Sequence, residues 1–393
     1  MMRVDTIEKW IPIKIALKGG KMDYNLTTKQ QEGLDICLKR YRNKELYTII
    51  AGYAGTGKSY LVNAIVDNFG FKEDEVAYAC YTGKAALVLQ NQGKNAITLH
   101  KLLYISYPDG CGGFVTKPLE ELDSNLKLIV VDEISMCPKE MWYLLLSHHI
   151  YVIGLGDPFQ LPPIGDELHL LDKPHIFLTE VMRQALDSDI IKYSMSLREN
   201  KDLQVGIDGN DIKVLPKSSL NVGMLKWADQ ILCAKNSVRK DINSQMRKIL
   251  GKNGIIDEED KMICTKNYWG TFSDKGDCLV NGSIGKVHFV TKTANLIKAN
   301  FQLETMGNFD NLLLDYNLLE KGKPTVVKDK KGKIINSPYR ELDYGYAITV
   351  HKAQGSQFDK VLVYDDYWEQ GEQHRRWLYT AITRAIHKVV VLM

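Results

Sequence analysis

An α/β protein with two parallel sheets, each covered by helices on both faces, is the fold class this sequence predicts. Three observations predict it. From Leu26 to about Pro163 helical patterns alternate with the short apolar runs Tyr47–Ala51, Val76–Cys80, Leu128–Val131 and Ile150–Leu155. Unbroken apolar strands of this length, separated by helices, belong to sheets buried on both faces. The alternation then recurs, from about Phe177 to Cys264 with a strand at Gln230–Ala234, and again in Tyr346–Val350, Val361–Tyr364 and Val389–Leu392. Between the two parts of this second region the texture changes. Residues 265–340 carry Gly276, Gly282, Gly285, Gly322 and Gly332, β-type runs such as Lys286–Thr291, and the turn-rich stretch Lys321–Pro338. That pattern predicts a small β module inserted into the second α/β domain.

Composition agrees and sets limits. A chain of 393 residues implies two or three domains. With 45% hydrophobic and 25% charged residues it has the balance of a soluble globular protein. The net charge of +3 is nearly neutral, so any groove for a polyanion must come from local clustering. The seven cysteines are scattered without a CxxC pair, as reduced cytoplasmic thiols are, and not as a disulfide framework or zinc site. The apolar run Trp10–Leu17 is short and broken by Lys14, so neither a signal segment nor a membrane span is expected.

The most informative motif is Gly52-Tyr53-Ala54-Gly55-Thr56-Gly57-Lys58-Ser59, a complete G-x-x-x-x-G-K-S pattern after an apolar strand and before a helical stretch. Its glycines let backbone N–H groups turn inward around phosphate oxygens. Lys58 supplies a cation for the β- and γ-phosphates, and the Ser59 hydroxyl can ligate Mg²⁺. The strand Leu128–Val131 runs into Asp132 and Glu133, placing two carboxylates at the carboxyl edge of the sheet. Asp132 suits a Mg²⁺ ligand, and Glu133 a base that polarises water. Alone, such a pair is equally an ordinary solvated loop; beside a phosphate loop it reads as a nucleotide hydrolase. Gly156-Asp157-Pro158-Phe159-Gln160 follows a third strand, and the Gln160 amide, both donor and acceptor, suits sensing of a γ-phosphate. An ordinary turn is the competing account.

Further stretches occur in a fixed order: Leu26–Gln30, Ala79–Ala86 with Thr82 and Lys84, Thr98–Leu102 with His100, and Leu178–Gln184 with Arg183. They continue with Tyr346–Ser356, containing Thr349, His351, Lys352, Gln354 and Gly355, and with Tyr379–Ala385, containing Arg384. With the phosphate loop and the Asp-Glu strand, this ordered set resembles the superfamily 1B DNA helicases of the RecD-like group, above all their small phage members. The resemblance covers nearly all of the chain from Leu26 onward. It implies two RecA-like P-loop NTPase domains, residues 26–172 and residues 173–264 with 341–393. Between them ATP and Mg²⁺ would be held by Gln30 at the adenine, by Gly52, Gly55, Thr56, Gly57, Lys58, Ser59 and Tyr60, and by Gly355. Arg183 and Arg384 would reach the γ-phosphate from the second domain, a role that suits a guanidinium fork. A surface ion pair is the alternative for either.

For single-stranded DNA the resemblance points to Thr82, Lys84, His100, Thr349, His351, Lys352 and Ser356, whose hydroxyls, amides and cations suit sequence-independent phosphate contacts. Phe159 and Tyr81 are candidates for stacking on bases, with core packing as the competing role. A strand-separating hairpin would occupy residues 104–125, with Phe114 as its wedge, unless its glycines make a plain surface loop. The module at 265–340 resembles the family's SH3-like insertion, shortened around Lys321–Pro338, which leaves tight contact with the hairpin open. Residues 1–25 have no recognised counterpart. The basic stretch from Arg239 to Lys252 reads as a solvated helix face. The resemblance implies a monomeric cytoplasmic enzyme, in the host's cytoplasm if phage-encoded. It would move 5′→3′ on single strands and forked duplexes, beside single-strand-binding or other replication proteins. A translocase that only strips proteins and a non-catalytic recombination subunit are the rivals. The intact Lys58, Asp132, Glu133 and Arg384 weigh against the second.

Overall fold

The computed structural model of the protein describes residues 17–18, 21–22, 24–108, 114–162, 168–276, 278–293, 296–303, 307–327 and 337–393. Most of the N-terminal stretch 1–25 and the hairpin turn 109–113 lie outside the described residues, as do the side chains of Lys84 and Phe114.

The apolar runs become strands, and their burial explains their order. Six form one all-parallel sheet in the order Ile176–Leu178, Tyr47–Gly52, Tyr151–Gly156, Leu128–Asp132, Val76–Cys80 and Ala96–Thr98. Tyr47–Gly52 is buried at every position after the first, as a strand covered on both faces must be. Because all six run the same way, the ends of Tyr47–Gly52, Leu128–Asp132 and Tyr151–Gly156 open on one edge. The register Ala51 to Gly156 keeps the phosphate loop level with Asp157.

A second all-parallel sheet has the order Ile212–Leu215, Ala385–Leu392, Phe358–Tyr364, Gln230–Cys233, Ala347–Thr349. Helix Asp189–Arg198 packs against helix Glu372–Ile382 of this unit. The cores are not sealed from each other. Leu161, which follows the first sheet, is buried with Ile190, Leu197 and Trp377 in the second unit's core.

The glycine-rich interruption forms a five-stranded antiparallel sheet with its own core around Val287, Phe301, Phe309 and Leu314. Lys261–Cys264 corrects the sequence reading. It was expected in the second α/β region, but pairs antiparallel with Ile284–Thr293 and with Leu342–Tyr344. A short apolar run fits a parallel or an antiparallel neighbour equally well, so only tertiary pairing decides its sheet.

Tyr104–Pro108 and Phe114–Pro118 form an antiparallel hairpin in which Pro108 stands opposite Phe114. Strand Tyr268–Phe272, which follows the start of the inserted sheet, packs against both hairpin strands. Strand Tyr268–Phe272 thus supplies a contact between hairpin and insertion that the sequence reading leaves open. Among the described residues no helix is long and apolar enough to cross a membrane.

Candidate nucleotide cleft and strand cavity

Gly55 and Gly57 have φ values of 77° and 76°, in the left-handed region where a Cβ is penalised. A Cβ on Gly57 would also stand 2.5 Å from the Gln30 amide nitrogen. Helix Lys58–Phe69 starts at this loop, and Lys58 Nζ donates back to the carbonyls of Gly52 (2.7 Å) and Tyr53 (3.2 Å). Gln30 is buried. Its amide donates to the Thr56 carbonyl at 3.2 Å, and its side-chain oxygen accepts from Thr27 N–H in the capping box of helix Thr28–Arg42. Gln30 thus braces the loop from the preceding helix. Tyr60 lies one turn on, its hydroxyl accepting from Asn25 N–H at 3.1 Å and its ring meeting Tyr24 edge-on.

Asp132 and Glu133 stand beside this loop. Burial, with the neighbouring Glu133 charge, pushes the Asp132 carboxyl up to about 6, while Lys58 and Arg384 pull it back. Glu133 leaves the strand with φ 52°, and its Oε1 lies 3.5 Å from Gln160 Nε2 and 3.8 Å from Arg384 Nη1. A strained non-glycine residue at a sheet edge is a common mark of a functional site. Arg384 comes from the second unit and is itself buried, held through Nε on the Thr380 carbonyl (3.2 Å) and Nη1 on the Ser356 carbonyl (3.4 Å). Arg183 is exposed, and its neighbour Met182 donates its N–H to the Gly55 carbonyl at 2.9 Å, which sets Arg183 beside the phosphate loop.

These residues fit Mg²⁺ together with a nucleotide. A carboxyl raised by burial and by an acidic neighbour gains from a divalent cation, and Asp132 with Ser59 would supply the sparse oxygen set that Mg²⁺ takes beside phosphates. When bound, the ion neutralises charge developing on the phosphate oxygens.

The loop after Tyr151–Gly156 is gripped from the second unit. The Tyr379 hydroxyl donates to Asp157 Oδ2 at 2.5 Å and accepts from the phosphate-loop N–H of Ala54 at 2.8 Å. Leu161 N–H donates to Thr380 Oγ1 (2.9 Å), Gln354 donates its amide to the Leu161 carbonyl (2.6 Å), and Arg376 donates to the Pro158 carbonyl (2.7 Å). Burial raises the Asp157 carboxyl, with Lys58 and the Tyr379 bond acting against the rise. Arg198 adds a cation–π contact, its guanidinium 3.8 Å from the Tyr53 ring. None of these cross-unit partners had been assigned a role from sequence.

A cavity of about 570 Å³ lies elsewhere on the same interface, lined by Tyr81, Thr82, Thr98 and His100 of the first unit and His351, Lys352 and Gln354 of the second. Loops of the inserted module add Asn267, Asn281 and Gly282, which sequence reading missed. Thr82, Thr98 and Thr349 are each the N-cap of the following helix, their hydroxyl oxygens accepting from Ala85, Lys101 and Lys352 N–H. Each hydroxyl proton thereby stays available to an acceptor. Tyr81, His100 and Tyr104 form a run of rings with successive centroids 5.8 Å apart. Burial lowers the His100 pKa to about 4, and lowers those of His351 and Lys352.

Three residues stand apart from their expected groups. Phe159 packs edge-on against Tyr379, with the Arg376 guanidinium 5.8 Å from its ring centre, and belongs to the cross-unit core. Ser356 is buried beneath Arg384, on the nucleotide side. Gly355, with φ 68°, lies against Thr82, where a Cβ would stand 3.0 Å from the hydroxyl, and not against the phosphate loop.

Fold and cleft together define a P-loop NTPase with two parallel-sheet units facing one phosphate site. The AAA domain pattern matches residues 25–211, and the UvrD-like helicase C-terminal domain matches 344–392. The chain is 30% identical to the ATP-dependent RecD2 DNA helicase of Deinococcus radiodurans over 368 residues, covering 86% of this chain but 45% of that protein. It is 23% identical to the ATP-dependent DNA helicase dda of Enterobacteria phage T4, covering 93% of this chain and 98% of that one. A solved Pif1 structure, described as two coordinating helicases unwinding forked double-stranded DNA, shares the fold. Its TM-score is 0.51 at 18% identity, over 94% of this chain and 92% of that one. The chain belongs to the superfamily 1B helicases, in the group that holds RecD2, Dda and Pif1.

Proposed function

We propose that the chain is an ATP-driven DNA helicase that moves along one strand, 5′→3′, and separates duplex at a fork. One observation carries the reading: the phosphate loop, Asp132 and Glu133 of one unit meet Arg384 of the other, with Glu133 and Arg384 3.8 Å apart. Hydrolysis that needs both units depends on their closure. Lys58 and the loop amides hold the β- and γ-phosphates, and Glu133 polarises the attacking water. Arg384, joined by Arg183, stabilises charge on the transferred phosphoryl group. Residues of both units line the strand cavity, so relative motion of the units changes the grip on the strand.

In this reading Thr82, His100, His351 and Lys352 contact the strand, the hairpin 104–125 splits the duplex, and the antiparallel module is an SH3-like insertion. The enzyme acts as a cytoplasmic monomer on single-stranded and forked DNA. The test is strand separation on forks carrying only a 5′ or only a 3′ tail, with ATP hydrolysis recorded alongside and Lys58→Ala as control. Unwinding from the 5′ tail alone supports the whole reading. Hydrolysis stimulated by single strands without separation reduces it to a translocase that displaces bound proteins.

A further inference from the structure

Helix Asn236–Ile249 carries the basic stretch that neither the cleft nor the cavity uses. It lies beside helix Tyr316–Lys321 of the insertion, and a second cavity of about 880 Å³ opens between them. Among the described residues, Arg239, Lys240, Arg247, Lys248, Lys252 and Lys321 line it, against two carboxylates, Glu320 and Asp343. In a chain of net charge +3 this is a marked concentration of cations.

The two arginines are committed to the protein. Arg239 pairs with Asp343 at 2.9 Å, and Arg247 with Asp260 and Asp257 at 3.0 and 3.1 Å. Lys252 donates to the Glu258 carbonyl, and Lys321 pairs with the adjacent Glu320 at 3.6 Å. Lys240 and Lys248 are exposed along the helix. Gly322, at φ 68°, ends the facing helix against Lys240, where a Cβ would stand 2.9 Å from Nζ. The wall therefore makes room for the ammonium instead of covering it. An ordinary solvated face would interleave acids at i±4, but this helix holds one, Asp241.

The position of the cleft points to its ligand. Arg239 and Asp343 lie close enough to Lys352, in the strand cavity, for their charges to act on its ammonium. Thr265 lines the cleft and Asn267, two residues on, lines the strand cavity. We propose that this cleft is a second, sequence-independent subsite for the phosphodiester backbone of the same single strand, where the strand passes between the second unit and the insertion. It rests on the reading of the cavity as the strand track.

The experiment compares wild type with the double variant K240A/K248A, both positions being exposed. Binding of labelled oligothymidylates of increasing length, and of a forked duplex, is titrated at graded salt. Expected is unchanged binding of the shortest oligonucleotides that bind, and weaker binding of longer ones. The salt slope for the longer ones should fall by about 1.4, from about 0.7 per lost phosphate contact. Long-oligonucleotide binding and slope equal to wild type overturn the subsite, as does an equal loss at every length. A loss confined to duplex-bearing forks also overturns it, because the occupant is then duplex. Wild type that binds no oligonucleotide at any length overturns the strand-track reading itself.

Discussion

Removing one oxygen atom, in Tyr379→Phe, tests how the second unit reaches the phosphate loop. That hydroxyl is bonded to Asp157 and to Ala54 N–H, both in the first unit, while its ring packs on Phe159. Phenylalanine keeps the ring and deletes both bonds. A hydrogen bond to a charged group contributes about 1.5–3 kcal/mol, and a buried N–H left unpaired costs about 1–3 kcal/mol. With overlap between the two, a loss of about 3 kcal/mol follows, and at about 1.4 kcal/mol per tenfold this is roughly a hundredfold. The loss falls on the joined arrangement alone, because parting the units breaks these bonds in the native protein as well. The assay is steady-state ATP hydrolysis at saturating single-stranded DNA, with thermal melting in parallel. Expected is a fall in kcat of roughly 10- to 100-fold, with little change in KM for ATP and a Tm close to wild type. Adding Asp157→Asn should cost little more, because the two residues share one bond. A kcat within twofold of wild type refutes the coupling, and a kcat loss matched by a collapse in Tm assigns Tyr379 to packing.

Glu133→Gln should retain nucleotide binding and lower hydrolysis by roughly 10²- to 10⁴-fold, read by phosphate release beside a fluorescent-nucleotide titration. Lys352→Ala should reduce the salt slope of single-strand binding by about 0.7, whereas His100→Ala should weaken binding with no change in slope. The difference arises because burial keeps His100 neutral, its pKa lowered to about 4. The same shift has a stability consequence with a definite sign. Between an ordinary 6.5 and about 4, the unfolded chain takes a proton that folded His100 refuses. Its contribution is therefore full above about 6.5 and is lost as pH falls toward 4. Melting curves from pH 7 to 4 should fall less steeply for His100→Phe, and parallel curves would refute the assignment.

Local chemistry accounts for what was legible in the sequence. Gly55, Gly57 and Lys58 sit where a strand becomes a helix, and Asp132 where a strand leaves its sheet. Such positions follow from neighbours a few residues away. The cross-unit contacts have no local signature: Gln354 acts on a carbonyl 193 residues earlier, and Tyr379 on an aspartate 222 residues earlier. Phe159 shows the limit from the other side. An aromatic ring next to a glutamine is the same in sequence whether it faces a strand or, as here, a buried tyrosine. Asn267 and Asn281 line the cavity from loops of the inserted module, a placement with no local signature.

The contact between Tyr268–Phe272 and the hairpin changes the topology of the strand cavity. The two units are continuous along the chain, the hairpin belonging to the first and the insertion to the second, so this contact closes a loop of structure beside the cavity, whose described lining comes from both units and the insertion. A polymer inside such a ring is threaded rather than clasped. It can leave by running off an end, or when the joint between hairpin and insertion parts. A covalently closed circle has no end, so its residence time measures the opening rate of that one joint, while a linear strand escapes by sliding.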